Sequence, residues 1–367
     1  MSLQRTDWDA IVIGGGPAGS TAARYAAEGG AEVLVIDGRD SIGSPLQCGE
    51  LVPSNDEMRR LCPDVPDIDD LLRTPEHAIS LRTTEMHLVP PSGKPLRYPF
   101  EGVVLDRVTH DKNLVEIART CGTEYLLGTR VAEIESNTVT LSDGSQYTAK
   151  VIIGAGGHND PLRKSHWDVD SLNIPVKFVL MDGVFGDALE LHFGSVAPGG
   201  YAWAFPKKGG ANIGLGIQRR LAKGRSLNLY SEDFFSRFDG NITFRGAGSL
   251  PMSGTIPNFV KGNHILVGDS AGMVLPSNGA GITIAMIGGR IAGQVVADHL
   301  SKGTPLEEYE ARWKTQMGKV MRNSKFAFKL GTLMFRSPDW VLNLMFNRLT
   351  KPFIWRAVTC RPLFSLG

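Results

Sequence analysis

Apolar runs and helical spacing alternate from the start of the chain. Asp9 to Gly14 is a short apolar run ending in glycines, Pro17 to Gly29 has helical spacing, and Glu32 to Asp37 is apolar again. This pattern predicts a β-α-β opening. Residues 38–60 are polar and rich in turn residues and predict a loop; residues 75–105 carry prolines and short alternating runs, which predict sheet with turns. Helical spacing returns from Asp106 to Cys121, at Val108, Leu114, Ile117 and Ala118. Residues 123–154 predict a meander with a turn at Ser142-Asp143-Gly144-Ser145, closing on the buried strand 150–154. Residues 172–218 again look strand-like. A third buried strand at His264–Gly268 precedes a helix starting near Gly279, and residues 305–348 predict helix.

Length and composition narrow the class. A chain of 367 residues with 42% hydrophobic content exceeds one ordinary core and predicts two lobes. Lys+Arg 39 against Asp+Glu 38 offers no global attraction for nucleic acid. Cys48, Cys62, Cys121 and Cys360 have neither metal-ligand spacing nor the number of a disulfide framework, so a reducing, cytoplasmic compartment and no metal are expected. The first residues enter a strand without the apolar region of a signal peptide, and no stretch of about 20 residues is free of charge and turn signals, so no spanning helix is expected.

Gly14-Gly15-Gly16-Pro17-Ala18-Gly19 contains G-x-G-x-x-G between the first strand and helix, and Asp37 ends the next strand. Gly14, Gly16 and Gly19 let backbone approach a pyrophosphate at a helix N-terminus, while Asp37 is placed for a ribose hydroxyl. Downstream, Val267-Gly268-Asp269-Ser270 leaves a buried strand, and Gly279-Ala280-Gly281-Ile282 opens an apolar helix. Asp269 suits a ribityl hydroxyl, and that helix N-terminus suits the charge of a reduced flavin. These features favour FAD over NAD; the structural alternative is a turn capped by Asp269. Arg107 begins a helix within reach of the cofactor or is a solvated arginine. Val131 begins a strand whose backbone can pair with adenine.

Together these pieces resemble the flavoprotein superfamily of para-hydroxybenzoate hydroxylase. Pro198-Gly199-Gly200-Tyr201-Ala202-Trp203-Ala204-Phe205-Pro206 matches the P-x-x-Y-x-W-x-F-P motif of geranylgeranyl reductases, with Asn212-Ile213-Gly214 after it, and Cys48-Gly49-Glu50 is similar to that family's cysteine motif. The resemblance spans roughly residues 8–300 and is nearest to archaeal digeranylgeranylglycerophospholipid reductases, which saturate isoprenoid double bonds of ether lipids.

The resemblance implies an α/β fold: a Rossmann-type FAD-binding domain from residues 1–72, 101–165 and 255–300, an antiparallel-sheet substrate domain from 73–100 and 166–254, and a helical region at 301–367. It implies flavin contacts at Ala18, Asp37, Cys48, Gly49, Arg107, Val131, Asp269, Gly281 and Ile282. Tyr201, Trp203 and Phe205 alternate along a strand and share one face; they wall a prenyl tunnel or form ordinary aromatic core. Cys48 is the candidate proton donor or flavin-tuning group, with a small buried filler as the alternative; His158, His166 and His192 are weaker acid candidates.

Two departures stand out. The superfamily's G-A-D-G-x-x-S pattern reads Gly154-Ala155-Gly156-Gly157-His158-Asn159-Asp160 here, without its acid, which leaves the electron donor open between NADPH and a ferredoxin-like protein. Asn278 replaces a glycine frequent in the flavin-binding turn. The competing function is an FAD-dependent monooxygenase or halogenase acting on a large apolar substrate; a prenyl-lipid carrier without turnover is a third reading. From Lys319 onward nine basic residues, opposed only by Asp339, are interleaved with large apolar ones. That mixture predicts either peripheral contact with the cytoplasmic membrane face or a helical layer packing its apolar side onto the catalytic lobe with its basic residues solvated.

Overall fold

Strand β1 (Asp7–Ile13), helix α1 (Pro17–Glu28) and strand β2 (Val33–Asp37) form the expected opening in the computed structural model, which describes residues 5–169 and 171–363. β1 and β2 pair in parallel, Ile11 opposite Leu34. Both are apolar nearly throughout because helices cover parallel sheets on both faces.

The segment expected as loop contains β3 (Leu51–Pro53) and α2 (Asn55–Leu61). Ser54 caps α2 by accepting the Glu57 N–H at 3.2 Å, a Ser-x-x-Glu signal that the turn-rich composition masked. β3 is too short to show a period; its pairing with a distant strand makes it one. After α3 (Ile68–Leu71), β4 (Ile79–Val89) and β5 (Leu96–Leu105) form an antiparallel pair. Helix α4 (Arg107–Thr120) is capped by Asp106, which accepts the Thr109 N–H.

β6 (Glu124–Leu127), β7 (Val131–Glu135), β8 (Thr138–Leu141) and β9 (Gln146–Gly154) follow. Only β7, β8 and β9 form a meander; β6 pairs in parallel with β2. Helix α5 (Pro161–His166) leads to β10 (Asn173–Asp182), β11 (Leu189–His192), β12 (Tyr201–Lys207) and β13 (Gly210–Gly216). Next come α6 (Leu227–Phe235), β14 (Asn241–Pro251), β15 (Val260–Lys261) and β16 (His264–Leu266). The chain continues through α7 (Ile282–Lys302), α8 (Glu308–Met334), α9 (Asp339–Met345) and α10 (Lys351–Val358).

Two eight-stranded sheets result among the described residues. The first runs β15-β16-β9-β1-β2-β6, with β7 and β8 continuing from β9; the second runs β14-β10-β13-β12-β11-β4-β5-β3. The second is antiparallel except where β11 meets β4. This is the α/β fold expected: a Rossmann-like parallel sheet, an antiparallel sheet and C-terminal helices. We propose the three-part division of the chain on this basis, with β3 and the end of β5 assigned to the second sheet.

Close backbone contact joins α1 to α7. A Cβ on Gly289 would lie 2.4 Å from the Ala18 carbonyl oxygen, and one on Gly293 2.3 Å from that of Ala22. The alanines of α1 and the glycines of α7 therefore set the helix separation, and with it the aim of the α1 N-terminus.

Candidate active site

A cavity of about 840 Å³ runs between the two sheets. At one end are Gly14, Gly16 and Ala18 of the glycine loop, beside Asp37, Arg39 and Val131. The middle is formed by Cys48, Gly49, Arg107, Asp269, Gly281 and Ile282. The apolar part is lined by Tyr201, Trp203 and Phe205 together with Met86, Phe100, Phe178, Leu191 and Leu250. Of the residues expected from sequence to bind cofactor or substrate, all but Gly19 lie on the wall. A Cβ there would sit 1.8 Å from the Gly14 carbonyl oxygen, so Gly19 lets helix and loop touch.

The glycine loop fits a pyrophosphate. Gly14 has φ +104°, and a Cβ on it would lie 2.5 Å from the Ala155 carbonyl oxygen; one on Gly16 would meet nothing within 4 Å, only the open cavity. Pro17 opens α1 without a side-chain cap, so its first N–H groups face the cavity end unclaimed by a capping residue. Asp37 accepts the Gly15 N–H at 2.8 Å and pairs with Arg39, Oδ1 to Nε 2.9 Å and Oδ2 to Nη2 2.6 Å. Burial raises its pKa, but the hydrogen bonds and charge of Arg39 and the backbone N–H groups outweigh that, leaving the carboxyl below its ordinary range.

Arg107 reaches the cavity and is not solvated. Asp111, one helical turn on, holds it through bonds of 3.0 and 2.8 Å, and His110 Nδ1 lies 3.1 Å from the same carboxylate. The i,i+4 spacing of Arg107 and Asp111 was a legible signal. Burial raises the Asp111 pKa, yet the charges and hydrogen bonds of Arg107 and His110 bring it down to about 2. The Cys48 thiol accepts the Glu50 N–H at 3.1 Å; burial pushes its pKa up against the opposing charge of Arg107, so it keeps its proton.

Asp269 is different. Its carboxylate accepts no side-chain hydrogen bond from the described residues, and burial lifts its pKa to about 6 against the charge of Arg107. Such an orphaned acceptor on a cavity wall fits a ligand hydroxyl. Beside it, α7 begins behind Gly281 with no side-chain cap. The carboxylate, the uncapped helix and the glycine loop together fit a flavin dinucleotide.

The aromatic residues of β12 do share one face. Trp203 and Phe205 stack with centroids 6.2 Å apart at 27°, and Tyr201 meets Trp203 at 6.1 Å. Both are neighbours of the cysteine loop: a Cβ on Gly49 would lie 3.4 Å from Trp203 and from Phe205. Tyr201 donates to the Asn278 carbonyl, and Asn278 in turn donates from Nδ2 to Val358 O at 2.9 Å. The side chain that Asn278 carries in place of a glycine therefore ties this turn to the end of α10.

The side-chain space at Gly156 is taken by Asp160. Asp160 Oδ2 accepts the Gly156 N–H at 2.6 Å, and a Cβ at 156 would lie 2.9 Å from that oxygen. Asp160 is fully buried and off the cavity wall, and burial raises its pKa to about 6 despite its backbone hydrogen bonds. His158, His166 and His192 are also off the wall; His192 pairs with Glu190 at 2.9 Å.

Sequence reasoning missed two parts of the site. Met86, Phe100, Phe178, Leu191 and Leu250 come from strands whose order in the sheet sequence does not show. Lys207, Asn212 and the Glu50 carboxylate form a buried polar group behind the cysteine loop.

The fold and cavity define a flavin-dependent oxidoreductase. Residues 8–163 match the pyridine nucleotide-disulphide oxidoreductase family, and residues 174–245 match the geranylgeranyl reductase catalytic domain. Digeranylgeranylglycerophospholipid reductase 1 of Methanococcoides burtonii is 31% identical over 350 residues, covering 87% of this chain and 83% of the relative. A second such reductase, from Methanopyrus kandleri, is 30% identical and covers 96% and 93%. A geranylgeranyl bacteriochlorophyll reductase-like protein from Thermoplasma acidophilum superposes with TM-score 0.80 at 25% identity, over 93% of this chain and 91% of that one. A flavin-dependent brominase shares the fold at TM-score 0.68 and 17% identity, over 97% and 94%. The chain belongs to the geranylgeranyl reductase family.

Proposed function

We propose that this protein is an FAD-dependent reductase that saturates isoprenoid double bonds in the geranylgeranyl chains of archaeal-type ether lipids. One observation carries the reading: the aromatic row Tyr201, Trp203 and Phe205 lines the same cavity as Cys48, Asp269 and the glycine loop. An apolar chain entering that cavity lies between a protonated thiol and a wall of aromatic faces.

Gly14, Gly16, Ala18 and the α1 N-terminus hold the pyrophosphate, with Gly19 supporting the loop; Asp37 and Val131 hold the adenosine half. Gly49, Arg107, Asp269, Gly281 and Ile282 hold the flavin half. FAD bound there, once reduced by the electron donor, would supply a hydride to one alkene carbon and return to its oxidised form. Cys48 holds a proton at Sγ and delivers it to the other carbon. Positive charge developing on a tertiary carbon meets aromatic faces such as Trp203, worth about 0.5–2 kcal/mol each. The surrounding apolar side chains exclude water from that carbon.

The electron donor is a ferredoxin-like protein or NADPH. The protein works in the cytoplasm, peripheral at the membrane face. In support of that contact, Arg322, Phe326, Lys329, Leu330 and Leu333 form an exposed stripe on one face of α8, and no helix of the described residues is long and apolar enough to cross a membrane.

The deciding experiment reduces the purified yellow protein anaerobically, with each donor in turn, and adds geranylgeranyl ether lipid. Product heavier by two hydrogens per bond, formed without oxygen, is the expected result. Product that needs oxygen would move the assignment to a monooxygenase or halogenase; unchanged lipid would make the protein a carrier.

A further inference from the structure

Glu50 is 2% exposed, in the left-handed region at φ +68°, two residues after Cys48. A non-glycine residue held there needs its surroundings to hold it. Both Glu50 carboxylate oxygens accept from Lys207 Nζ at 2.7 Å, and Asn212 Nδ2 donates to Oε2 at 2.9 Å. The same Asn212 nitrogen lies 2.9 Å from the Cys48 carbonyl oxygen, and Asn212 Oδ1 accepts the Trp203 indole N–H at 2.9 Å. Asn212 is fully buried. The cysteine loop and the aromatic strand are thus joined through one carboxamide and one ion pair.

A buried ion pair is a poor device for stability alone, because desolvation offsets much of its attraction. It is a good device for fixing two elements in one register. We propose that Glu50, Lys207 and Asn212 are positioning residues that lock the Cys48 thiol against the Trp203 face of the cavity. They act through Cys48 and Trp203: the Glu50 N–H donates to Cys48 Sγ, and Asn212 Oδ1 holds the Trp203 indole N–H. This rests on the function proposed above, in which that thiol and that ring act on one substrate.

The test follows iodoacetamide alkylation of Cys48 in FAD-loaded protein, by peptide mass, alongside anaerobic lipid reduction. In Glu50→Gln, Asn212→Ser and Lys207→Met the loop is released, and Cys48 is alkylated about tenfold faster or more. Lys207→Arg, which keeps the pair, restores the slow rate. Isoprenoid reduction falls in kcat by about tenfold to a hundredfold with little change in KM, while flavin reduction is retained. Cys48 alkylated at the parent rate in folded, FAD-loaded Glu50→Gln and Asn212→Ser overturns the proposal. If Glu50→Gln does not fold, Asn212→Ser decides. If alkylation responds as stated but even the parent reduces no isoprenoid lipid, the functional reading falls and the positioning role stands.

Discussion

Asp269 and Cys48 are both shifted by burial, with opposite consequences. Asp269 has its pKa raised from 3.8 to about 6. Its contribution to apoprotein stability is therefore full below the unfolded value and lost as pH rises through about 6. A hydroxyl donated by FAD favours the carboxylate form, so below pH 6 binding must displace a proton. FAD affinity should then fall by up to about tenfold per pH unit. Titration of apoprotein by fluorescence quenching between pH 5 and 8 checks this; Asp269→Asn should bind more weakly and without the slope. Equal slopes in parent and mutant would remove Asp269 from the binding site. For Cys48 the raised pKa keeps the thiol protonated. Cys48→Ser should retain FAD and its reduction but slow lipid reduction by about tenfold or more. Stopped-flow measurement of the two half-reactions separates this from a packing role, for which both would match the parent.

Among the elements, α1, α7 and β12 carry most of the geometry. Helices α1 and α7 approach through Gly289 and Gly293, where a Cβ would collide with backbone carbonyl oxygens that cannot rotate away. Gly293→Val should cost about 3 kcal/mol or more, at the upper end of overpacking penalties, and should loosen FAD because the α1 N-terminus moves. Thermal unfolding of apo- and holoprotein measures both; an unchanged melting temperature would contradict the close packing. On β12, Trp203 is 6% exposed and contacts β13 closely, since a Cβ on Gly214 would lie 2.3 Å from its ring. Trp203→Ala should cost about 3–5 kcal/mol of stability. The folded remainder should also process long prenyl chains poorly. Loss of stability with unchanged kinetics would make Trp203 core only.

Across the whole molecule, the C-terminal helices leave apolar side chains outside. Leu333, Trp340, Leu344 and Leu349 are 62%, 66%, 66% and 91% exposed. Arg322, Lys329, Arg336 and Arg348 are exposed among them. Asp339, the acid expected to oppose the basic residues, instead accepts from Ser195 N and Oγ at 3.0 and 2.6 Å. Lys325 is also engaged, donating to Thr255 O at 3.2 Å and packing on Gly254. Charge reversal at Lys329, Arg336 and Arg348 should therefore weaken binding to anionic vesicles without unfolding the protein, and salt should weaken it too. Flotation with phosphatidylglycerol-containing liposomes reads this. FAD-loaded parent that stays unbound at low salt would rule out membrane docking.

Local physics made much of this readable in the amino-acid order. Gly14 to Gly19 with Asp37 is a contiguous pattern set by backbone sterics and a helix N-terminus, and Tyr201, Trp203 and Phe205 share a face by the two-residue period of a strand. Asp106 and Arg107 announce α4 by capping and spacing. Elements without a period of their own were not readable: β3 is a strand because Leu51 pairs with Val104 more than 50 residues away. The partners of Glu50 were hidden for the same reason, since Lys207 and Asn212 reach it only after β12 and β13 are laid into one sheet. That Asp160 turns back to occupy the side-chain space at Gly156 was hidden as well, since sequence order does not reveal it. Covalent neighbours and periodicity determined the cofactor loop and the aromatic face; packing two sheets against each other decided which distant side chains share the cavity.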